Sequence, residues 1–260
     1  MENKIILQTS NLSIGYTSKK EKNSIASNIN LSLEKGKLIA LIGANGIGKS
    51  TLLRTITGIQ KPLSGTVFLN KKNIHELDSL TLAQNLSVVL TEKLPPSNLT
   101  VFELIALGRQ PYTNWLGQLS AADREKIKQA IALTQLEHLA NKKYYEISDG
   151  QLQIVLIARA LAQDTPIIIL DEPTTHLDLV HKVSVFKLLK KLSSETNKCI
   201  LFSTHDVDLA IQLSDQMIVM TENQVHQDQP CNLITQGVFN SLFKDESIVF
   251  DGEKGKFIIS

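Results

Sequence analysis

The stretch Leu38-Ile39-Ala40-Leu41-Ile42-Gly43-Ala44-Asn45-Gly46-Ile47-Gly48-Lys49-Ser50 decides the fold of this chain. Its first five residues predict a buried strand, and the residues from Lys49 to about Thr57 have the apolar spacing of a helix that Gly58 ends. Between them, Gly43–Ser50 matches the spacing G-x-x-x-x-G-K-[ST] of a phosphate-binding loop. Glycine permits the positive φ angles that turn successive N–H groups toward one anion, and the helix adds the positive end of its dipole. We therefore predict a nucleotide phosphate site; the alternative is a glycine-rich turn that binds nothing.

Each residue type in this phosphate loop (Gly43–Ser50) has an expected role. The Lys49 ammonium should reach the β- and γ-phosphates of a nucleotide, and the Ser50 hydroxyl should bind Mg²⁺. The loop and the residue after it give the expected nucleotide-binding set: Gly43, Ala44, Asn45, Gly46, Ile47, Gly48, Lys49, Ser50 and Thr51.

A second apolar run, Pro166 to Leu170, ends in the carboxylates Asp171 and Glu172. The carboxyl end of a strand in an open α/β sheet is where ligands bind. We expect Asp171 to hold Mg²⁺ through water and Glu172 to polarise the water that attacks the γ-phosphate. A pair of acidic helix-capping residues is the alternative.

Predicted strands alternate with predicted helices along the chain, which indicates an α/β fold with a parallel sheet. The first part contains short predicted strands, among them Ile5–Gln8 and Ile29–Leu33. More than 100 residues separate Lys49 from Asp171, whereas a strand–helix–strand unit needs about 30, so the intervening sequence must hold an insertion. We place a helical subdomain at residues 100–159 and the catalytic core at 1–99 and 160–260.

Composition excludes several classes of protein. The 260 residues carry 27 Lys and Arg against 26 Asp and Glu, a net charge of +1 that disfavours nucleic acid as a partner. No apolar run approaches the roughly 20 residues of a membrane span, and no apolar segment of secretory type follows Met1. The two cysteines, Cys199 and Cys231, cannot form a disulfide framework, which favours a reducing, cytosolic compartment.

From Leu12 to about Met220 the sequence resembles the nucleotide-binding subunits of ATP-binding-cassette transporters. The most specific element is Ile147-Ser148-Asp149-Gly150-Gln151, which is similar to the family signature L-S-G-G-Q. The resemblance implies a P-loop NTPase core of parallel strands, an antiparallel β subdomain and an inserted α-helical subdomain. It also implies that Ser148, Gly150 and Gln151 close on the ATP held by a second copy of the chain, giving a head-to-tail dimer. A helix N-terminus there is a favourable site for an anion. Asp149 departs from the signature, and we expect it to cap the helix.

The resemblance assigns roles to further positions. Tyr16 corresponds to the aromatic residue that stacks on adenine, although a plain edge-strand tyrosine is the alternative. His205 corresponds to the histidine at the γ-phosphate, so Lys49, Glu172 and His205 are the expected catalytic residues. Asp178 lies in the turn that contacts the partner copy. The family has a magnesium-sensing glutamine where this sequence reads Thr91-Glu92, so either Thr91 or Glu92 occupies that place. Thr91 could offer an oxygen to the metal, whereas Glu92 could only accept hydrogen bonds.

Within the superfamily, Thr100–Tyr112 and Leu161–Pro166 look most like the importers of ferric siderophores, haem and cobalamin. The resemblance implies an ATPase with Mg²⁺ as cofactor, held peripherally on the cytoplasmic face of the membrane by integral permease subunits. A substrate-binding protein would be an indirect partner. The alternatives are a soluble cassette ATPase in cofactor assembly or DNA maintenance, and a nucleotide-dependent regulator that does not hydrolyse ATP.

Overall fold

The computed structural model describes residues 4–17, 22–90, 95–242, 248–252 and 255–259. Its strands fall into a six-stranded sheet, a five-stranded sheet and a terminal hairpin. In chain order they are β1 Ile5–Thr17, β2 Lys22–Ile29, β3 Ser32–Glu34, β4 Leu38–Gly43, β5 Ser64–Leu69, β6 Lys72–Asn73, β7 Leu86–Val89, β8 Ile167–Leu170, β9 Cys199–Ser203, β10 Gln216–Met220, β11 Val225–Asp228, β12 Ile248–Asp251 and β13 Lys256–Ile259.

The α-helices cover the sheets and form a block of their own between β7 and β8. They are α1 Lys49–Ile56, α2 Ser79–Asn85, α3 Val101–Ala106, α4 Ala121–Leu133, α5 Asp149–Ala162, α6 Leu179–Thr196, α7 Val207–Leu213 and α8 Pro230–Thr235. The block contains α3, α4 and α5. In the described part of the chain, no helix is both long and apolar enough to cross a membrane.

The six-stranded sheet carries the site. Its order is β11-β10-β4-β9-β8-β7, and β10, β4, β9, β8 and β7 are mutually parallel, which confirms the predicted α/β class. Strand β4 lies in its middle, between β10 and β9. Because the loops after parallel strands lie at one edge, the segments after β4, β8 and β9 meet there.

Both faces of this sheet are buried, which explains why its strands read as continuous apolar runs. Alternate residues of β4 enter two different cores. Leu38, Ala40 and Ile42 pack in the core that contains the helical block and α6, whereas Ile39 and Leu41 pack in the core shared with α1 and the five-stranded sheet.

The five-stranded sheet is antiparallel, with the order β2-β1-β5-β6 and β3 paired with β1. The strand predicted over Ile29–Leu33 is wrong, because β2 ends at Ile29 and β3 begins at Ser32. Asn30 accounts for the interruption. Its side chain accepts from the Asn11 amide and donates to the Asn28 carbonyl, and Asn28 has a φ of 56°. These local bonds replace regular strand pairing.

One buried arginine ties the helical block together. Arg109, in a short 3-10 segment after α3, donates Nε to Asp123 at 2.9 Å and Nη1 to the Ala162 carbonyl at 2.9 Å. Its guanidinium also lies 3.8 Å from the ring centroid of the more exposed Tyr112. A cation near the last carbonyls of α5 is favourable to that helix. Arg109 thereby joins the start of α4 to the end of α5.

Candidate active site

The phosphate loop turns between β4 and α1. Gly46 and Gly48 have φ angles of 76° and 111°, which glycine adopts without strain. A Cβ at Gly43 would lie 2.9 Å from the carbonyl oxygen of Met220 on β10, so only a glycine fits there without a shift. Gly48 precedes the first helical residue, and because it has no side chain, α1 begins without a side-chain cap. The first amides of α1 remain available to an anion.

The Lys49 side chain folds back into the loop. It is 6% exposed, and its Nζ donates to the carbonyls of Gly43 at 2.9 Å and Ala44 at 3.3 Å. Burial lowers the pKa of the Lys49 ammonium, and the charges of Glu172 and Asp171 oppose that shift. The Lys49 ammonium therefore interacts with the loop carbonyls and with the charges of both carboxylates.

The carboxylates after β8 are held by a serine at the end of β9. The buried Ser203 hydroxyl donates to Asp171 Oδ1 at 2.7 Å and accepts from the Glu172 amide at 2.8 Å. The Asp171 amide donates to the Val89 carbonyl on β7. Asp171 is buried, so its orientation is fixed from both neighbouring strands.

Glu172 is presented by a turn instead of by the strand, with a φ of 48°. The His205 ring donates Nε2–H to Glu172 Oε1 at 2.7 Å, since a carboxylate can only accept. Thr175 Oγ1 donates to the other carboxylate oxygen at 3.1 Å. A cavity of about 210 Å³ lies between His205 and the loop residues 43–45. Glu172 does not line this cavity itself but contacts it through His205, and a water beside the carboxylate would have a positioned proton acceptor.

Tyr16 lies beside the phosphate loop at the end of β1. Its hydroxyl is 3.0 Å from Thr51 Oγ1 on α1, while the residue as a whole is 52% exposed. The arrangement leaves aromatic surface next to the predicted phosphate site, where a base could stack.

The signature residues form a second group at the start of α5. Ser148 is the N-cap: its hydroxyl accepts from the Gln151 amide, and the Gln151 side chain accepts from the Ser148 amide. Gly150 is buried against His181 of α6. Asp149, which we expected to cap, is instead the first residue of the helix.

Asp178 caps the neighbouring helix α6. Its Oδ1 accepts from the His181 amide at 2.9 Å and from His181 Nδ1 at 2.8 Å. The amide first and then the ring hold the pKa of the Asp178 carboxyl below its usual range.

The residues present suit a magnesium nucleotide. Mg²⁺ prefers oxygen ligands and keeps several waters, and the Ser50 hydroxyl and Asp171 carboxylate are of that type. Within the described ranges, no group of three or more His, Cys, Asp or Glu residues could hold a metal ion by itself. A site completed by phosphate oxygens is consistent with this donor set. The predicted metal residue Thr91 lies outside the described residues.

Sequence reasoning missed three side chains that belong to this arrangement: Ser203, Thr175 and His181. Ser203 could have been suspected because it ends an apolar strand, but its two partners depend on β8 and β9 being neighbours. For His181 the sequence indicated only ordinary surface or packing use, and the structure shows its ring packed against Gly150.

Comparisons with known proteins show the family of this chain. The family model described as ABC transporter matches residues 26–175. An uncharacterized ABC transporter ATP-binding protein of Methanocaldococcus jannaschii is 41% identical over 92% of this chain and 81% of its own length. An achromobactin transport ATP-binding protein of Dickeya dadantii is 39% identical over 89% of this chain and 85% of its own. An iron(3+)-hydroxamate import ATP-binding protein of Bacillus subtilis is 37% identical over 96% and 92%.

Solved structures of ABC transporter proteins also resemble this chain. A metal-chelate type ABC transporter in an inward-facing conformation matches with a TM-score of 0.80 and 29% identity, over 93% of this chain and 89% of the other. A bacterial ABC transporter cassette solved as a dimer matches with a TM-score of 0.73 and 29% identity, over 86% and 99%.

Proposed function

This chain belongs to the ABC transporter family, and we propose that it is the ATP-hydrolysing subunit of an importer for ferric siderophores or a related metal chelate. The contact between His205 and Glu172 carries the hydrolytic part of the proposal. It fixes a carboxylate at 2.7 Å from an imidazole, beside the cavity that opens onto the phosphate loop. A fixed carboxylate next to bound phosphate can take a proton from water.

The residues have separate tasks in the proposed reaction. The loop amides and Lys49 bind the phosphates, and Lys49 exchanges its carbonyl partners for phosphate oxygens. Ser50 and Asp171 would hold Mg²⁺, which supplies positive charge to the β- and γ-phosphates when bound. Glu172 orients the attacking water and accepts its proton. His205 steadies Glu172 and the transferred phosphoryl group.

A second copy completes the nucleotide site in this proposal. Ser148 of the partner subunit lies at a capped helix start, whose amides favour an anion. The related cassette solved as a dimer supports pairing. Asp178 lies in the turn before α6, where we expect contact between the copies.

The names of two relatives support the cargo class, since they are ATP-binding proteins for achromobactin transport and for iron(3+)-hydroxamate import. We propose that separate permease subunits dock on the helical block, whose Trp115 is 91% exposed and whose Tyr112 and Leu116 are also exposed. The chain would then lie on the cytoplasmic face of the membrane, with a substrate-binding protein as indirect partner and domain limits at residues 100 and 159.

Glu172→Gln tests hydrolysis. The variant should bind ATP as the wild type does, form a stable ATP-bound dimer and release phosphate about 10²–10⁴-fold more slowly. Glu195→Gln, an exposed glutamate on α6, is the matched control and should keep wild-type turnover. Wild-type phosphate release by Glu172→Gln would show that Glu172 is not the base.

Trp115→Asp tests the permease contact. In a complex with the permease, this variant should lose uptake of ferric siderophore while its basal ATP hydrolysis is unchanged. Val249→Asp, on the terminal hairpin, is the control for an exposed apolar residue and should keep uptake. Normal uptake by Trp115→Asp would refute docking at this surface.

A further inference from the structure

An imidazole joins the starts of α5 and α6. His181 lies in the first turn of α6 and is about half exposed. Its ring faces Gly150, the buried residue two positions after the N-cap of α5. The Asp178 carboxylate accepts a hydrogen bond from ring Nδ1 at 2.8 Å, and this bond orients the ring.

The contact with Gly150 has no spare room. A Cβ at position 150 would lie 2.9 Å from His181 Cδ2, which is closer than van der Waals contact allows, and 3.4 Å from Cγ, which is at its limit. The conflict would be steric, because Gly150 lies within helix α5 and is not among the residues with positive φ. The glycine therefore lets the helix start approach the ring.

This contact joins the start of α5, the helix that carries the signature residues, to the turn between Glu172 and Asp178. Asp178 is six residues after Glu172, and the Thr175 amide donates to the Glu172 carbonyl within that turn. The packing of His181 on Gly150 thus sets how far the Ser148 hydroxyl and the first amides of α5 lie from the turn after Glu172 in the same chain. In the proposed dimer, those amides serve the nucleotide bound by the other copy.

We infer that His181 is a positioning residue: held by Asp178, it sets the signature helix start for the ATP bound to the partner subunit. This inference rests on the proposed function. It assigns no chemical step to His181, and it makes a directional claim, because loss of the ring should impair the partner's site and spare the chain's own phosphate loop.

Two single variants separate ring packing from hydrogen bonding. His181→Ala should bind ATP as a monomer with wild-type affinity but associate into ATP-bound dimers about five- to thirtyfold more weakly, as expected for contacts of this size. His181→Phe keeps a ring against Gly150 and loses the bond to Asp178, so its defect should be smaller. Wild-type association by His181→Ala would overturn the inference.

A paired variant tests the steric contact. Gly150→Ala should weaken ATP-driven association, and adding His181→Ala should restore part of it because the methyl group then has space. If His181 served only to stabilise the start of α6 with Asp178, the losses of association caused by Gly150→Ala and by His181→Ala would simply add. Additive losses would therefore overturn the inference.

Mixed dimers give the decisive measurement. Mixing Lys49→Ala chains with His181→Ala chains leaves one composite site with an intact loop and an intact signature, so ATP hydrolysis should exceed that of either variant alone. Mixing the Lys49→Ala, His181→Ala double variant with wild-type chains leaves no intact composite site, so the double variant should inhibit the wild type. The reverse pattern, or equal activities, would overturn the inference. A wild-type dimer that hydrolyses no ATP would instead refute the proposed function itself.

Discussion

Removing the Ser203 hydroxyl should both destabilise the fold and loosen the proposed magnesium site. In Ser203→Ala, the Glu172 amide loses its acceptor at 2.8 Å and Asp171 Oδ1 loses its donor at 2.7 Å. Ser203 is fully buried, so water cannot easily replace either bond.

The magnitude follows from these two unpaired groups. Each buried group left without a partner costs about 1–3 kcal/mol, and the two together should lower the free energy of unfolding by about 2–6 kcal/mol. For a chain of this size, that loss lowers the Tm by about 4–12 °C. Because Ser203 orients a proposed metal-holding carboxylate, Mg²⁺-dependent ATP hydrolysis should also fall about 10–100-fold.

Ser193→Ala is a matched control. Ser193 is also fully buried, but its hydroxyl donates only to the Lys190 carbonyl one helical turn earlier. Its loss should cost less than about 1 kcal/mol and leave hydrolysis unchanged. Thermal unfolding followed by circular dichroism and a titration of ATPase rate against Mg²⁺ give both quantities. If Ser203→Ala matched Ser193→Ala in both assays, the bridging role would be refuted.

Three further measurements address the helical block, the tyrosine beside the phosphate loop and the two thiols. Arg109→Met should lower the free energy of unfolding in urea by about 3–5 kcal/mol, because Asp123 would remain buried without its cation; an unchanged midpoint would contradict the proposed link between helices. Tyr16→Ala should weaken ATP binding by about 1–3 kcal/mol in calorimetry while Tyr16→Phe retains it, and equal losses would exclude stacking. Burial raises the pKa of the Cys199 thiol, whereas Cys231 is exposed, so iodoacetamide should modify Cys231 alone in the native chain and both thiols in urea, as counted by mass spectrometry. Native modification of Cys199 would show that its strand opens.

The sequence predicted those parts of the site that lie close together along the chain. The phosphate loop depends on residues at most eight positions apart, and the structure contains its turn between β4 and α1. The apolar run before Asp171 likewise predicted its strand at Ile167–Leu170.

The sequence could not predict which strands lie next to each other in the sheet. The bonds from Ser203 to Asp171 and from His205 to Glu172 join residues 32 and 33 positions apart, and they exist because β9 lies next to β8. Apolar periodicity indicates that a strand is buried but not which strand lies beside it. The contact between Gly150 and His181 likewise depends on how two helix starts pack.

The central position of β4 has a consequence for how the protein is made. Leu38 pairs with Ile200, and Gly43 pairs with Met220, so both parallel partners of β4 leave the ribosome long after it does. At about 5–20 residues per second, the partner strands β9 and β10 are synthesised roughly 10–30 s after β4, which has no pairing partner in the meantime. During synthesis, this apolar stretch is therefore open to aggregation until β9 and β10 have been made.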